Sequence, residues 1–210
     1  MNVTRVPVET ATRGPGGETN AYLLGRDSAL LVDPAARTDD LDAAVADAAV
    51  TNIAVTHHHP DHVGAVAEYA DETGATVWAR AGYADTFTGA TAVTPDRTFH
   101  EGTVVDTDTG PVRVLDTAGH APAHVTFVWD DGAAAGALVV AAGSVVVGAP
   151  DGDMRAYLAA LRRLYARDFA ALYPGHGPVV ETPRETVDRL ISHRLDREAA
   201  VRAAVADGAR

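Results

Sequence analysis

Thr56-His57-His58-His59-Pro60-Asp61-His62 follows the apolar run Asn52-Ile53-Ala54-Val55, and this junction decides how the chain is read. The apolar run predicts a buried strand over 52–56, and the helical spacing and closing glycine of AVAEYADETG predict a helix over 65–74. The polar cluster therefore lies in a loop at a sheet edge, where functional side chains concentrate. Four histidines and an aspartate within six residues exceed what a solvated turn needs. Neutral imidazole and carboxylate are the nitrogen and oxygen donors that zinc takes. The chain has no cysteine, which excludes a disulfide framework and thiolate ligands, so any metal rests on histidine and carboxylate.

On the N-terminal side, VTRVPVE (3–9), NAYLLG (20–25) and ALLVDP (29–34) read as meandering strands around the glycine-rich turn RGPGGE. LDAAVADAAV (41–50) has helical spacing and completes a β-α-β step. Beyond the cluster, ATVWAR (75–80) is a strand. Residues 91–129 have β texture, with a hairpin over 103–117 turning at Asp108-Thr109-Gly110. LVVAA (138–142) reads as a buried strand, 153–169 as an amphipathic helix capped by Asp153, ALYPG (171–175) as the last strand and 182–206 as a terminal helix entered at Pro183. Strand runs broken by covering helices predict an α/β layered sandwich: a domain over 1–181, with 182–210 a C-terminal helix packed on it or extending from it.

Forty-seven per cent hydrophobic residues, spread along 210 positions, fit one soluble globular domain rather than a disordered chain. No apolar run approaches the roughly 20 residues of a bilayer span, and the start lacks a signal peptide's basic-then-apolar layout, so a cytoplasmic protein without membrane association is expected. All 17 basic residues are arginine, and 29 acidic residues bring the net charge to −12. An acid excess of this kind suits a salt-rich cytoplasm, where it keeps the surface solvated. Ordinarily it also argues against nucleic acid as a partner. At about 1 M salt, however, the Debye length is only about 3 Å and local contacts decide, so a nucleic-acid substrate is possible but not favoured.

His57-x-His59-x-Asp61-His62 resembles the His-x-His-x-Asp-His signature of the metallo-β-lactamase superfamily. Thr117-Ala118-Gly119-His120 resembles the loop carrying that family's third histidine, and Tyr173-Pro174-Gly175-His176 the loop carrying its last. Asn20–Leu24 and Leu31-Val32-Asp33 are similar to its early strands, so the likeness runs in order over about residues 15–180. It implies a four-layered αββα sandwich and two metal positions, one held by His57, His59 and His120, the other by Asp61, His62 and His176. Zinc, as one or two ions, would make hydroxide available for metal-assisted hydrolysis, with Asp61 in the catalytic machinery. Asp33 would hydrogen-bond the metal loop, and His124 is a candidate for a similar supporting role. His58 is read as exposed or near substrate, with no ligand role.

In most hydrolytic members of the family a Gly-Asp pair follows the next buried strand, and its aspartate bridges the metals. Here the run LVVAA leads to Gly143-Ser144, which places Ser144 at the altered bridging position. Either the second site is weakened, or two metals bind without the bridge. PGHGPVVETPRETVDRLISHRLDRE (174–198) resembles the β-lactamase-like protein 2 branch, often labelled glyoxalase II-like, in its Pro-Gly-His-Gly-Pro segment and its His-Arg and Arg-Glu pairs. The residues after His176 suffice for one helix, so a minimal core is expected. A small ester or thioester is the leading substrate class. A single-strand nuclease or phosphodiesterase, and a weakly active or binding-only descendant, are the alternatives; the oligomeric state is left open.

Overall fold

A computed structural model describes residues 1–12 and 14–208. Six strands form the first sheet in chain order: β1 (Val3–Glu9), β2 (Glu18–Leu24), β3 (Ala29–Val32), β4 (Val50–Ala54), β5 (Thr76–Arg80) and β6 (Arg97–Phe99). Its first three strands pair antiparallel; from β3 onward the pairs are parallel. The second sheet has the order β11-β10-β9-β8-β7, from β7 (Val104–Thr107), β8 (Gly110–Asp116), β9 (Val125–Val128), β10 (Gly132–Gly136) and β11 (Ala171–Pro174). The β7–β8 hairpin turns at Asp108-Thr109, with Thr107 opposite Gly110, as its sequence predicts.

Alternation along the strands sorts the side chains into layers. Leu23, Leu31 and Ile53 face the core under α1 (Asp39–Ala46) and α3 (Val66–Thr73), together with Leu41 and Tyr69. Tyr22, Leu30, Val32 and Ala54 face the other way and pack with Val114, Phe127 and Trp129 between the sheets. A third core joins Ala133, Ala135 and Leu172 to α5 (Met154–Tyr165) and the first part of α6 (Pro183–Ala206), through Tyr157, Leu161, Leu164, Val187 and Leu190. Helix, sheet, sheet, helix is the predicted four-layered α/β arrangement. From Leu195 onward α6 is exposed.

Three local readings need correction. LVVAA (138–142) is buried at Leu138, Val139 and Val140 but is not a strand; it is an irregular turn packed on α5. The strand is the preceding Gly132–Gly136, whose glycines and alanines have no β-propensity to announce them. It ends where Gly136 adopts φ +48°, so the residue that follows the strand is Ala137, not Ser144. The ground for placing Ser144 in the bridging position is thereby removed. Second, α4 (Ala84–Thr91) forms where the sequence predicts no element, since its threonines and Gly89 are poor helix formers and the burial of Phe87 and Thr91 decides the matter. Third, the helix predicted over 41–50 runs from Asp39 to Ala46, with Thr38 as its cap, and the strand begins at Val50.

Among the described residues no helix is long and apolar enough to cross a membrane.

Candidate metal centre

Strand β4 delivers the cluster to the sheet edge, where His59 precedes the short helix α2 (Pro60–Val63) and Pro60 takes its first turn. The loop before β9 supplies His120, and the loop after β11 supplies His176. Two groups result: His57, His59 and His120 in one, Asp61, His62 and His176 in the other, with potential ligand atoms inside each lying within 4.8 Å of one another. All six line one cavity of about 390 Å³, together with Ala137, Val140, Ser144, Val145 and Val146. Ser144 is exposed on the rim segment, and Ala137 is buried.

Hydrogen bonds fix which nitrogen of each ring is free. The Val146 carbonyl accepts from His120 Nδ1 at 2.7 Å and the Glu18 carbonyl from His176 Nδ1 at 2.9 Å. Asp33 Oδ2 accepts from His62 Nδ1 at 2.9 Å. Thr56 Oγ1 donates its proton to Asp33 Oδ2 and so accepts from His57 Nδ1 at 3.1 Å. His59 turns Nε2 toward Asp151 Oδ2 at 3.4 Å. Each ring thus presents a lone pair inward. His59 Nδ1 lies 3.0 Å from His57 Nε2 and 3.1 Å from His120 Nε2, so three lone pairs meet with no proton between them. His62 Nε2 is buried with no hydrogen-bond partner. A cation resolves both situations; the donor set fits a metal at each group.

Asp33 anchors the arrangement. It adopts a left-handed φ of 52°, which aspartate tolerates better than most residues. From there its carboxylate accepts the Thr56 backbone N–H at 2.6 Å as well as the Thr56 hydroxyl and His62. His124 is fully buried 5.1 Å from the His57 ring, with Nδ1 against Thr117 Oγ1 at 3.0 Å and Nε2 unpartnered; it packs beside a candidate ligand without bonding to one. Two glycines let the backbone in close. A Cβ on Gly136 would lie 2.5 Å from Thr56 Oγ1 and 2.8 Å from His124 Nε2, and one on Gly175 would lie 2.7 Å from His62 Cε1. Sequence reading assigned neither a role, although Gly175 lay in a motif it quoted. His58 lies beside Tyr83, and His100 and His193 are exposed away from the centre.

Burial pushes His57 and His124 well below the ordinary imidazole value of 6.5 and His120 down to about 4; it also lowers His176. Burial opposes charge on His62 as well, but the Asp33 carboxylate outweighs it and raises the group. Asp61 resists ionisation through burial, yet His62, the Thr12 hydroxyl and His176 outweigh that and hold its carboxyl below the usual range. Stability of the metal-free chain follows. A histidine kept neutral in the fold takes up its proton more readily when unfolded, so the stability present above about 6.5 is lost as pH falls toward the folded values. His62 runs the other way: its contribution is complete below about 6.5 and is lost as pH rises through its raised value. Five lowered histidines, His58 also being lowered by burial, outweigh one raised group. The urea midpoint of chelator-treated protein is expected to fall as pH drops from 7 to 5; a flat profile would contradict these environments.

The substitution Asp33→Asn tests the anchor. The amide carbonyl it introduces still accepts the Thr56 backbone N–H, but the amide nitrogen now faces both the Thr56 hydroxyl and His62 Nδ1, which must accept and thereby moves the ring's proton to Nε2. Zinc affinity at the Asp61, His62, His176 group is expected to drop about tenfold in calorimetric titration, and an unchanged value would contradict the tautomer assignment.

Two sheets clasped between helices, with two groups of potential metal ligands at one edge, define the class: a four-layered α/β sandwich with a candidate metal centre. Residues 14–176 match the family model described as Metallo-beta-lactamase superfamily, and the chain belongs to that superfamily. Among its relatives is a Beta-lactamase-like protein 2 homolog of Caenorhabditis elegans, 29% identical over 195 residues, covering 86% of this chain and 63% of that protein. The Thioesterase pkgB of Emericella nidulans is 29% identical over 198 residues, covering 90% of this chain and 54% of that protein. The chain thus spans less than two thirds of the length of these relatives. A solved structure of TTHA1623 in a di-iron-bound form has a TM-score of 0.69 at 28% identity, covering 86% of this chain and 96% of that one.

Proposed function

We propose that the protein is a zinc-dependent hydrolase of small esters or thioesters. Water adds to the acyl carbon, the C–O or C–S bond breaks, and a carboxylic acid and an alcohol or thiol leave. The single observation that carries this reading is the cavity itself. Beside the six donors its wall is mainly apolar, from Pro15, Ala137, Val140, Val145 and Val146, with the neutral hydroxyls of Thr12 and Ser144 among them, a lining that suits a small acyl group. The thioesterase relative supports the same substrate class. Bound at the triads, one or two zinc ions would acidify a water and polarise the acyl carbonyl.

The chain's own residues do the rest. The rings of His62, His57, His176 and His120 are oriented by Asp33, Thr56, Glu18 and Val146, which turns their free nitrogens toward the cavity. Asp61, ionised and 3.7 Å from His176 Nε2, is placed to take the proton of the attacking water on its carboxylate. Iron is a second reading of the metal, favoured by the di-iron relative and by the two-histidine, one-carboxylate make-up of the second triad. We also place the protein in a salt-rich cytoplasm, on its charge of −12 without lysine, acting on a small molecule rather than nucleic acid or membrane.

The test is turnover of short acyl thioesters in high salt, followed by thiol release, after loading with zinc or with iron under anaerobic conditions. Chelator-sensitive release supports the proposal. Cleavage of single-stranded RNA without thioester turnover, or inertness with both triads loaded, overturns it.

A further inference from the structure

The segment between β10 and α5 has little backbone pairing of its own, yet it forms one wall of the cavity through Val140, Ser144, Val145 and Val146. Its carbonyls are taken by side chains from the two covering helices. Arg189 of α6 donates from Nη2 to the carbonyls of Val140 at 3.0 Å and Ala141 at 3.1 Å, and from Nη1 to that of Gly143 at 2.8 Å. Arg194, one turn on, donates to the Val145 carbonyl, and its guanidinium lies 5.7 Å from the Tyr157 ring centre. Tyr157 itself donates to the Leu138 carbonyl at 3.1 Å. The next carbonyl, that of Val146, accepts from His120 Nδ1.

We propose that Arg189 and Arg194 are positioning residues that act through this segment to fix His120 and the apolar wall. The terminal helix would then be part of the site, although none of its residues reaches the cavity. A planar guanidinium bonded to several carbonyls holds a loop that has no ladder of its own, and a charged donor makes each bond stronger than a neutral one. The inference gives a purpose to the His193-Arg194 pair, since Arg194 turns to the segment and His193 stays exposed. It rests on His120 being a metal ligand, and its test separates the two ideas.

Zinc alone is titrated into two backgrounds of the full chain: Asp61→Ala, which leaves the three-histidine group, and His120→Ala, which leaves the mixed group. Arg194→Gln and Arg189→Gln are expected to weaken zinc binding about tenfold in the first background and to leave it within twofold in the second. Arg194→Lys should restore part of the loss, because lysine supplies a donor without the fork. Val187→Ala serves as control: it loosens the packing of α6 without touching either arginine, so it should lower the melting temperature and spare both affinities. In metal-free protein the His120 Nδ1–H resonance should exchange faster with water in both glutamine variants, a readout independent of metal and applicable to the lysine variant if the glutamine ones fail to fold. Equal weakening in both backgrounds, the same effect from Val187→Ala, or an unaltered resonance together with unaltered affinities overturns the inference. Failure of the parent Asp61→Ala chain to bind zinc would instead overturn the assignment of the triad, leaving the resonance to decide the positioning role.

Discussion

Replacing His57 by alanine is expected to abolish metal-dependent turnover, with a loss on the order of a thousandfold or more, which corresponds to about 4 kcal/mol of barrier. His57 is the central ring of the cluster: its centroid lies 4.2 Å from that of His62, 4.5 Å from His59 and 5.0 Å from His120. Without it the first triad keeps two donors, too few for a closed coordination set, and the bond that His57 Nδ1 donates to Thr56 Oγ1 is lost. The fold should survive, because Thr56 still bonds Asp33 and the side chain lies outside the three apolar cores. The check pairs thioester turnover with zinc per chain by elemental mass spectrometry. His58→Ala is the comparison, since that ring faces Tyr83 and should leave both quantities within threefold. Parental turnover in the His57 variant would remove the triad from the chemistry.

The sequence made the donors legible and their supports less so. His57, His59, Asp61 and His62 are dense in the chain, so residue identity carries their information, whereas His120 and His176 were legible only through the resemblance of their loops to the superfamily's. Asp33 was readable by the same resemblance, since its place at the end of an apolar run alone marks only an ordinary strand end. The layered arrangement was readable because strand runs are broken by helices able to cover them, and its four layers through the resemblance to the superfamily. What the sequence hides is the backbone that passes beneath the site. Gly-Ala-Ala-Ala-Gly at 132–136 has no strand propensity and is a strand because β9 and β11 flank it, whereas Leu138-Val139-Val140 has the propensity and folds as a turn because α5 offers it a core. Tertiary context decided both, and with them the residue opposite the triads. The arginine contacts from α6 were equally unreadable, since they join positions nearly fifty residues apart through backbone carbonyls that no side-chain pattern reveals.

That shift of register yields the second large effect. Gly136 approaches Thr56 and His124 on one side and, through its carbonyl, accepts the Gly175 N–H at 2.7 Å on the other, and the buried Ala137 that follows it lines the same cavity as both triads. We propose that Ala137, rather than Ser144, stands where a bridging carboxylate would. The six donors include one carboxylate, Asp61, so two dications held there would be poorly neutralised. Ala137→Asp is therefore expected to tighten binding of the second zinc about a hundredfold, about 2.7 kcal/mol, a modest fraction of the attraction between a carboxylate and two nearby dications. Ser144→Asp, on the exposed rim segment, should change that affinity less than threefold. Stepwise calorimetric titration reads both variants, with melting of the metal-free chains as a check that the buried aspartate is tolerated. In the absence of metal Ala137→Asp should destabilise the fold, because it buries an unpaired carboxylate, and zinc should reverse that loss. If Ser144→Asp tightens the second site and Ala137→Asp does not, Ser144 holds the bridging position after all, and the turn after Gly136 is structural only.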